Sequence, residues 1–220
     1  IDPTAFAARI ESPERDRLRA MLGVAPDQLL VGTVSCLKPQ KSPEDFVRVA
    51  ALVCQRVPAA RCVLVGDGAL RPKVEALLLE QGLQDRVTLL GWRRDVAALL
   101  KAFDVFVLTS QWEGLPCAIL EARASRIPIV ATRVGGAAEA IVEGIQGTLC
   151  PAGDVRAMAE RVCQILEDER FRVDLRTGTQ ELPEEFTIQE TLKQYQSLYA
   201  YLLHATRPSE DVMKLQPNRL

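Results

Sequence analysis

Short, almost wholly apolar runs alternate along this chain with longer runs in which apolar residues recur every three or four positions. The first kind of run predicts buried strands, and the second predicts amphipathic helices. The predicted strands are 29–34, 62–65, 86–90, 105–108, 127–131 and 148–150. The predicted helices are 11–22, one that starts at Ser42, 70–80, 95–102, 115–124, 137–142, 154–166 and 188–203.

The predicted strands lack the alternation of apolar and polar residues that marks a sheet with one face in water. Both faces of the sheet are therefore expected to be covered, as in α/β proteins. Strands that are separated by helices run parallel and are joined by right-handed crossovers. The sequence therefore predicts a Rossmann-like, doubly wound α/β domain with a parallel sheet.

Capping residues mark several of the predicted helix ends. Ser42 followed by Pro43 is typical of an N-cap with proline in the first helical turn. Asp154 is the expected N-cap of the helix 154–166. Gly82 is expected just after the helix 70–80, in the position that glycine commonly takes at a helix end.

The domain organisation follows from where the strands stop. We assign residues 1–186 to the Rossmann-like domain and 187–204 to a C-terminal helix with an apolar side. Residues 205–220 are polar and contain two prolines, so we expect a flexible tail. The only histidine, His204, is expected to be a surface residue.

Net charge and hydropathy narrow the class of protein. The formal net charge is −2, which gives no electrostatic case for a nucleic-acid partner. No apolar run approaches the roughly 18 residues that a membrane-spanning helix needs. The first residues do not resemble a signal peptide. We therefore expect a cytoplasmic protein.

The cysteines form neither a C-x-x-C pair nor a spacing typical of zinc sites. Most lie inside apolar runs, so we expect buried, reduced thiols rather than disulfides or metal ligands. The six are Cys36, Cys54, Cys62, Cys117, Cys150 and Cys163.

In an open parallel sheet, ligands bind in the loops beyond the carboxyl ends of the strands. The loop 35–41 lacks the glycine patterns of dinucleotide-binding and P-loop proteins. Lys38 and Lys41 near a helix start can neutralise a phosphate, with a solvated loop as the alternative. The loop 66–71 has two glycines, which allow either a close approach of the backbone to a ligand or a simple tight turn.

The loop after the strand 105–108 carries the most information. Gly114 is expected to let the backbone turn sharply. The amides of Gly114, Leu115 and Cys117 are then expected to face an anion at the helix start, where the helix dipole favours negative charge. Pro116 lacks an amide but suits the first helical turn.

Two carboxylates, Glu113 and Glu121, flank that helix start. An acidic residue is unfavourable beside a phosphate. It suits sugar hydroxyls, which donate hydrogen bonds to carboxylates on either side of a diphosphate. A pair of surface acids is the alternative that the spacing alone leaves open.

The segment 113–136 contains Glu-Gly-Leu-Pro-Cys-Ala-Ile-Leu-Glu-Ala and then Ile-Pro-Ile-Val-Ala-Thr-Arg-Val-Gly-Gly. It resembles the E-x7-E region of the retaining GT-B glycosyltransferases of family 4, or group 1. Further similarities follow in order up to about residue 203. They are Ile1-Asp-Pro with the interdomain linker, 31–41 with G-R-L-x-x-x-K-G, 65–68 with V-G-D-G, 87–91 with V-x-F-L-G, and 143–147 with the E-D-G-x-N-G turn. Their ordered succession makes the resemblance specific.

The resemblance implies that the chain is the C-terminal, donor-binding half of a GT-B enzyme. Such an enzyme transfers a hexosyl group from a nucleotide diphosphate sugar with retention, with no cofactor and no metal. The implied catalytic residues are Lys41, which stabilises charge on the departing diphosphate, and Glu113, which contacts the donor hexose. Glu121 would hold the ribose hydroxyls. The other implied donor-binding residues are Gly114, Leu115, Pro116, Gly66, Gly91, Trp92 and Arg93.

The same resemblance assigns the acceptor site to an N-terminal domain that is missing from this chain. The helix 187–204 resembles the one that crosses back to that domain. We therefore expect the isolated domain to be inactive, and any association with a membrane surface to involve only the full-length protein.

Two positions depart from the family pattern. Cys36 stands where an arginine is expected beside Lys41, which removes a charged phosphate contact of about 1.5–3 kcal/mol unless Lys38 substitutes for it. Arg126 lies where the family usually has glycine after a helix. A non-catalytic nucleotide-binding or interaction module is therefore an alternative. A nucleotide-sugar epimerase of the same fold is disfavoured, because the acidic and histidine residues it needs are not found.

Overall fold

The computed structural model describes residues 1–7, 12–178 and 182–205. The chain divides into two compact units. The larger unit is Pro3–Leu182, and the smaller combines Ile1–Asp2 with Pro183–Leu220.

The larger unit contains a six-stranded parallel sheet in the order β3-β2-β1-β4-β5-β6. The strands are β1 (Leu29–Val34), β2 (Ala60–Val65), β3 (Val87–Gly91), β4 (Val105–Leu108), β5 (Ile129–Thr132) and β6 (Gly147–Cys150). This order is that of the Rossmann fold, in which the chain reverses its direction of progress between the first and fourth strands. The predicted fold class is confirmed.

Helices cover the sheet. They are α1 (Thr4–Ala7), α2 (Ser12–Met21), α3 (Pro43–Arg56), α4 (Arg71–Glu80), α5 (Val96–Ala102), α6 (Cys117–Ala124), α7 (Ala137–Ala140), α8 (Val155–Glu167) and α9 (Glu169–Gly178). Helix α9 is not predicted from the sequence, because it is mostly polar and buries little beyond Leu175. Helix α6 starts at Cys117, two residues later than expected, since Pro116 precedes it with an extended ψ of 103°.

The central strands are buried on both faces, as their apolar composition predicts. Every residue of β4, β5 and β6 is buried. Gly32 of β1 makes room for the ring of Phe103, because a β-carbon on Gly32 would lie 2.1 Å from the Phe103 Cε2 atom. Phe103 itself is fully buried, so the absence of a side chain at Gly32 is a packing requirement.

The predicted N-caps have different outcomes. The Oδ1 atom of Asp154 accepts a hydrogen bond of 2.9 Å from the Ala157 amide, so this cap is confirmed. Ser42 makes no cap bond and has a left-handed φ of 43°. Its hydroxyl donates instead to Asp45 Oδ2 at 2.7 Å. Ser42 is the N-cap residue before Pro43, as predicted, but the expected side-chain cap bond is absent, because the 3-10 turn at Pro39–Lys41 leads into the helix with Ser42 in a left-handed conformation.

Two helices end in the same motif with different residues at its left-handed position. After α4, Gly82 has φ +63°, and the amide of Leu83 donates to Leu78 O at 2.9 Å. After α6, Arg126 has φ +56°, and the amide of Ile127 donates to Ala122 O at 3.1 Å. This pattern is the Schellman ending, which favours glycine at that position. Arg126 therefore adopts a conformation that is uncommon for a residue with a β-carbon.

A buried carboxylate that the sequence does not single out joins helices to the sheet. Asp104, just before β4, accepts hydrogen bonds from Arg15 at 2.8 Å, Arg19 at 2.9 Å and the Leu30 amide at 2.8 Å. Arg176 of α9 lies 3.5 Å away. Burial opposes ionisation of Asp104, but these positive charges and the amide outweigh it and lower its pKa below the ordinary value.

The cysteines are all unpaired, and their burial only partly matches the prediction. Cys54, Cys62, Cys150 and Cys163 are buried, as expected. Cys36 and Cys117 are exposed, so for them the prediction is wrong. Both follow strands at the carboxyl edge of the sheet, where side chains leave the core.

The smaller unit contains α10 (Ile188–Ala205). The amino group of Ile1 donates to Phe186 O at 2.7 Å, and the Ile188 amide donates to Ile1 O at 2.9 Å. The apolar side of α10 is half-exposed or more; it includes Leu192, Tyr195, Leu198 and Tyr199. No helix in the described ranges is long and apolar enough to span a membrane. The predicted tail beyond Ala205 and the His204 side chain lie outside the described residues.

Candidate functional site

The loops after β1 and β4 meet at the point where the strand order reverses, which is where open α/β sheets bind ligands. The hydroxyl of Thr109 donates to Lys41 O and to Ser42 O, both at 3.0 Å. The amide of Gln111 donates to Gln40 O at 2.8 Å. The two loops therefore form one braced surface at the carboxyl edge of the sheet.

The predicted catalytic residues Lys41 and Glu113 form an ion pair across these loops. Their side chains are 17% and 5% exposed. The hydroxyl of Ser110, which is buried, donates to the same Glu113 carboxylate at 2.6 Å. Gln40 fixes the loop by donating to Trp112 O at 3.0 Å. The ion pair also reduces the repulsion expected between the Glu113 carboxylate and a phosphate, because the positive charge of Lys41 offsets the negative charge of Glu113.

Ser110 and Gln40 are site residues that the sequence interpretation misses. Nothing in a serine after a strand or a glutamine in a polar loop distinguishes them from ordinary loop residues. Ser110 is identified by its burial and by the Thr132 hydroxyl, which donates to Ser110 O at 2.6 Å. Their role depends on contacts between segments that are far apart in sequence.

Unused backbone amides lie at the start of α6, as predicted. Among the described residues, the amides of Gly114, Leu115 and Cys117 have no hydrogen-bond acceptor. The first turn of a helix carries partial positive charge. The segment 114–117 therefore presents amide donors to solvent beside the Lys41–Glu113 pair.

Gly114 does not have the backbone role that the sequence suggests. Its φ is not positive, and a β-carbon on it would meet no atom within 4 Å. The close approach is made instead by the Gly135–Gly136 pair after β5. A β-carbon on Gly135 would lie 1.9 Å from Glu113 O, and one on Gly136 would lie 2.3 Å from Gly114 O. The Gly136 amide donates to Gly114 O at 2.7 Å, so this pair supports the loop from behind.

Glu121 differs from the paired Glu113. It lies on α6 and is half-buried, and its carboxylate accepts no hydrogen bond from any residue that the structure describes. Burial raises the pKa of its carboxyl group above the ordinary value. A half-buried carboxylate without a donor is a costly arrangement in the free protein, and hydroxyl groups of a ligand would relieve it.

The glycines of the loop 66–71 serve backbone packing within the protein. A β-carbon on Gly66 would lie 1.9 Å from Ser35 O, and one on Gly68 would lie 2.6 Å from Leu37 O. The Leu37 amide donates to Asp67 O at 2.9 Å. Of the two interpretations of these glycines, the structure supports a close backbone approach, but to the neighbouring loop after β1.

A cavity of about 290 Å³ lies beyond the ends of β1, β2 and β3, and three of the predicted donor-binding residues line it: Gly66, Trp92 and Arg93. Cys36 and Val96 also line it. Trp92 is 69% exposed, and the Arg94 guanidinium lies 5.5 Å from its ring centroid. Arg93 is held by Asp95 at 2.5 and 2.8 Å. Gly91 is not among the lining residues; its carbonyl accepts a bond of 2.8 Å from the Gly66 amide.

The predicted site residues therefore fall into two neighbouring groups at one edge of the sheet. Lys41 and Glu113 lie with the 114–117 segment after β1 and β4, and the cavity lies after β1, β2 and β3. The loop after β1 belongs to both groups, since it contributes Lys41 to the first and Cys36 to the second. Lys38 is exposed and forms no ion pair with a described residue.

Comparison with known proteins shows the family of this chain. The family model described as "Glycosyl transferases group 1" matches residues 14–182. The chain is 31% identical over 184 residues to N-acetyl-alpha-D-glucosaminyl L-malate synthase of Bacillus anthracis, covering 83% of this chain and 48% of that protein. It is 29% identical over 202 residues to UDP-Gal:alpha-D-GlcNAc-diphosphoundecaprenol alpha-1,3-galactosyltransferase of Escherichia coli, covering 90% and 52%. The chain thus spans about half the length of these curated relatives.

Solved structures share the fold. Anabaena HepE in complex with UDP and glucose matches with a TM-score of 0.80 and 26% identity, over 90% of this chain and 55% of that one. The C-terminal domain of a glycosyl transferase group 1 protein (LpcC) from Francisella tularensis matches with a TM-score of 0.72 and 20% identity, over 81% and 94%. The similarity to the LpcC domain concerns the fold alone, and this chain covers almost the whole of that domain.

Proposed function

The chain belongs to the glycosyl transferases group 1 family, and from this premise we propose that it binds a nucleotide diphosphate sugar. In a longer, two-domain GT-B protein it would transfer the hexosyl group of that donor to an acceptor, with retention at the anomeric carbon. The observation that carries the proposal is the grouping at one sheet edge of the Lys41–Glu113 pair with the amides at 114–117 and the Glu121 carboxylate, which have no hydrogen-bond partner among the described residues.

Each part of a nucleotide diphosphate sugar has a chemical counterpart in this grouping. We assign the diphosphate to the amides of Gly114, Leu115 and Cys117 and to the ammonium group of Lys41. Backbone amides at a helix start and a fixed cation are common phosphate ligands. Glu121 is assigned to the ribose hydroxyls, because its carboxylate has acceptor capacity that no described residue uses.

The base is assigned to the cavity lined by Trp92 and Arg93. Its volume of about 290 Å³ and its apolar side chains suit a flat aromatic ring. The relatives favour uracil. The HepE structures contain UDP, with glucose or as UDP-glucose, and the name of the E. coli relative specifies UDP-Gal.

In the transfer itself, the bond between the anomeric carbon and the diphosphate oxygen breaks, and the electron pair leaves with the diphosphate. A bond to the acceptor oxygen forms on the same face, and the acceptor hydroxyl passes its proton to the departing diphosphate oxygen. Negative charge therefore grows on the diphosphate in the transition state, where Lys41 lies ready to stabilise it. We propose that no metal ion and no cofactor takes part, since Lys41 and the amides supply the positive charge.

A non-catalytic nucleotide-binding module of the same fold is the second candidate. Cys36 favours it: this exposed thiol lines the cavity at the position where the family pattern has a phosphate-binding arginine. Lys38 is also exposed, and besides Lys41 it is the only cation of the 35–41 loop. The two candidates share the nucleotide site and differ in turnover.

The experiment is a thermal-unfolding screen of this chain against UDP, GDP, ADP and their hexose conjugates. Ligand at about 100 times Kd stabilises the folded state by roughly 2.7 kcal/mol. We expect UDP compounds to raise Tm and Glu121→Ala to abolish the rise. No rise with any nucleotide would remove the donor-site proposal. Binding without transfer, once the chain is joined to an intact acceptor domain, would favour the non-catalytic module.

A further inference from the structure

A second cavity lies at the opposite, amino edge of the sheet from the donor loops. Its volume is about 380 Å³, and it is enclosed by the ends of α1, α5, α6 and α9 with part of α2. We call it the amino-edge cavity. The residues that matter for its chemistry are Arg15, Lys101, Ser125, Arg126 and Arg176.

The amino-edge cavity has an excess of positive charge. Four of its lining residues are cations, and none of the described residues that line it is acidic. Arg15 and Arg176 share one carboxylate, that of Asp104, with Arg19. One negative charge therefore faces three guanidinium groups. Within the described part of the chain, the Lys101 ammonium group donates to one carbonyl, Ala5 O, at 3.1 Å and forms no ion pair.

Two polar atoms of this cavity are buried without a partner. Among the described residues, neither the Ser125 hydroxyl nor the Arg176 Nε has a hydrogen bond. Buried polar atoms are nearly always paired, and an unpaired one commonly marks a missing water or ion. Both atoms can donate to an oxygen. Burial also lowers the pKa of Arg176, even though Asp104 acts to raise it, and an anion would relieve that cost.

Arg126 gives a third, independent indication. It is exposed and has φ +56° at a helix end where Gly82 serves the equivalent position after α4. A residue held in an unfavourable backbone conformation often has a function that outweighs the strain. Its side chain adds a cation to the lining of the amino-edge cavity.

We propose that the amino-edge cavity binds a phosphate group, either on a small molecule or on a lipid headgroup. Arginine and lysine with a hydroxyl donor match the several acceptor oxygens of phosphate. The volume exceeds that of phosphate alone and lies in the range of small-molecule pockets, so an organic group can accompany it. This site is separate from the proposed donor site and does not depend on it.

The test is thermal unfolding of the full chain in sodium phosphate and in sodium chloride of equal ionic strength. With phosphate at about five times Kd, linkage predicts a rise in Tm of about 2–4 °C for a domain of this size. We expect Lys101→Gln with Arg126→Gln to remove the rise. The matched control is Lys73→Gln with Arg156→Gln, which loses two exposed cations outside the amino-edge cavity and should keep the rise.

The proposal would be overturned if phosphate did not raise the Tm of the unchanged chain above its Tm in chloride. That result is expected if a carboxylate of the chain itself fills the cavity. The proposal would also be overturned by a rise that the control variant loses as well, or by one that is equally large in the double variant. Sedimentation with vesicles of phosphatidylcholine and 20% phosphatidic acid (a composition of about one anionic lipid in five) then identifies the source. Binding lost in the double variant supports a lipid headgroup, and a phosphate rise without vesicle binding supports a small molecule.

Discussion

The ammonium group of Lys41 contacts the Oε1 atom of Glu113, and this ion pair links the loop after β1 to the loop after β4. The two residues are 72 positions apart in sequence. The two side chains restrain each other: Lys41 supplies the counter-charge of a largely buried carboxylate, and Glu113 holds Lys41 beside the 114–117 segment. The geometry of the pair is therefore both a stability feature and the centre of the proposed site.

Removing Lys41 should lower the free energy of unfolding, because the buried Glu113 carboxylate loses its counter-charge. Lys41→Ala leaves a carboxylate whose side chain is 5% exposed without its counter-charge. We expect the free energy of unfolding to fall by about 2–3 kcal/mol, because half of a largely buried ion pair is worse than none. Urea unfolding at pH 7 measures the loss. Adding Glu113→Gln should restore part of it, and strictly additive losses would show that the two side chains are not coupled.

Glu121 should behave in the opposite way in the free protein. Burial raises the pKa of its carboxyl group, so the folded state binds the proton more tightly than the unfolded state. Glu121 therefore lowers the free energy of unfolding at neutral pH. This destabilisation is absent below the ordinary pKa of about 4.3 and develops as the pH rises through the folded pKa.

Glu121→Gln should therefore raise Tm at pH 7 without ligand, and the difference from the unchanged chain should vanish towards pH 4. The same substitution should weaken nucleotide binding by about 10- to 150-fold, the range expected for a lost charged hydrogen bond. Differential scanning calorimetry and isothermal titration provide the two readouts. Tighter or unchanged binding by Glu121→Gln would remove this residue from the proposed site.

Asp104 should make folding acid-sensitive. Its pKa is lowered in the folded state, so its stabilisation is present above about pH 3.9 and is lost as the pH falls through the lower folded value. Asp104→Asn should cost about 3–5 kcal/mol at pH 7, because three arginines lose their shared carboxylate.

Urea unfolding between pH 7 and pH 2 tests this, and the gap between Asp104→Asn and the unchanged chain should narrow at the acid end. Glu167→Gln is the matched control: its carboxylate also has a lowered pKa, through a hydrogen bond from Arg56, but its side chain is exposed. It should change stability little at any pH. A constant gap for Asp104→Asn would contradict the assigned pKa direction.

The two Schellman endings provide a reciprocal pair of substitutions. Arg126→Gly should stabilise the chain by about 1 kcal/mol, since glycine adopts a left-handed φ without steric cost. Gly82→Arg should destabilise it by a similar amount, because a β-carbon there has room but an unfavourable backbone. Thermal unfolding should show shifts of about 2–4 °C in opposite directions. Two shifts of the same sign would mean that side-chain contacts, and not the backbone, dominate at these positions.

Cys36 offers a gain-of-function test of the phosphate contact. Cys36→Arg should tighten binding of a nucleoside diphosphate by about 10- to 150-fold, if an arginine there adds a charge-assisted hydrogen bond. Cys36→Ser is the control, since it keeps the size and adds no charge. In the unchanged chain, bound nucleotide should also slow alkylation of the exposed Cys36, which lines the cavity. Equal affinities for the arginine and serine variants would place the diphosphate away from this residue.

The sequence by itself determined the strands, most of the helices and the fold class, because these follow from local periodicity and from the rules that join parallel strands. It also placed Lys41 and Glu113 in loops at the same edge of the sheet. Tertiary structure decided what those residues do to each other. The ion pair, the buried Ser110 donor and the Gly135–Gly136 support depend on strand order and on distances between remote segments. Such contacts leave no periodic trace along the chain, so only the folded coordinates could assign them.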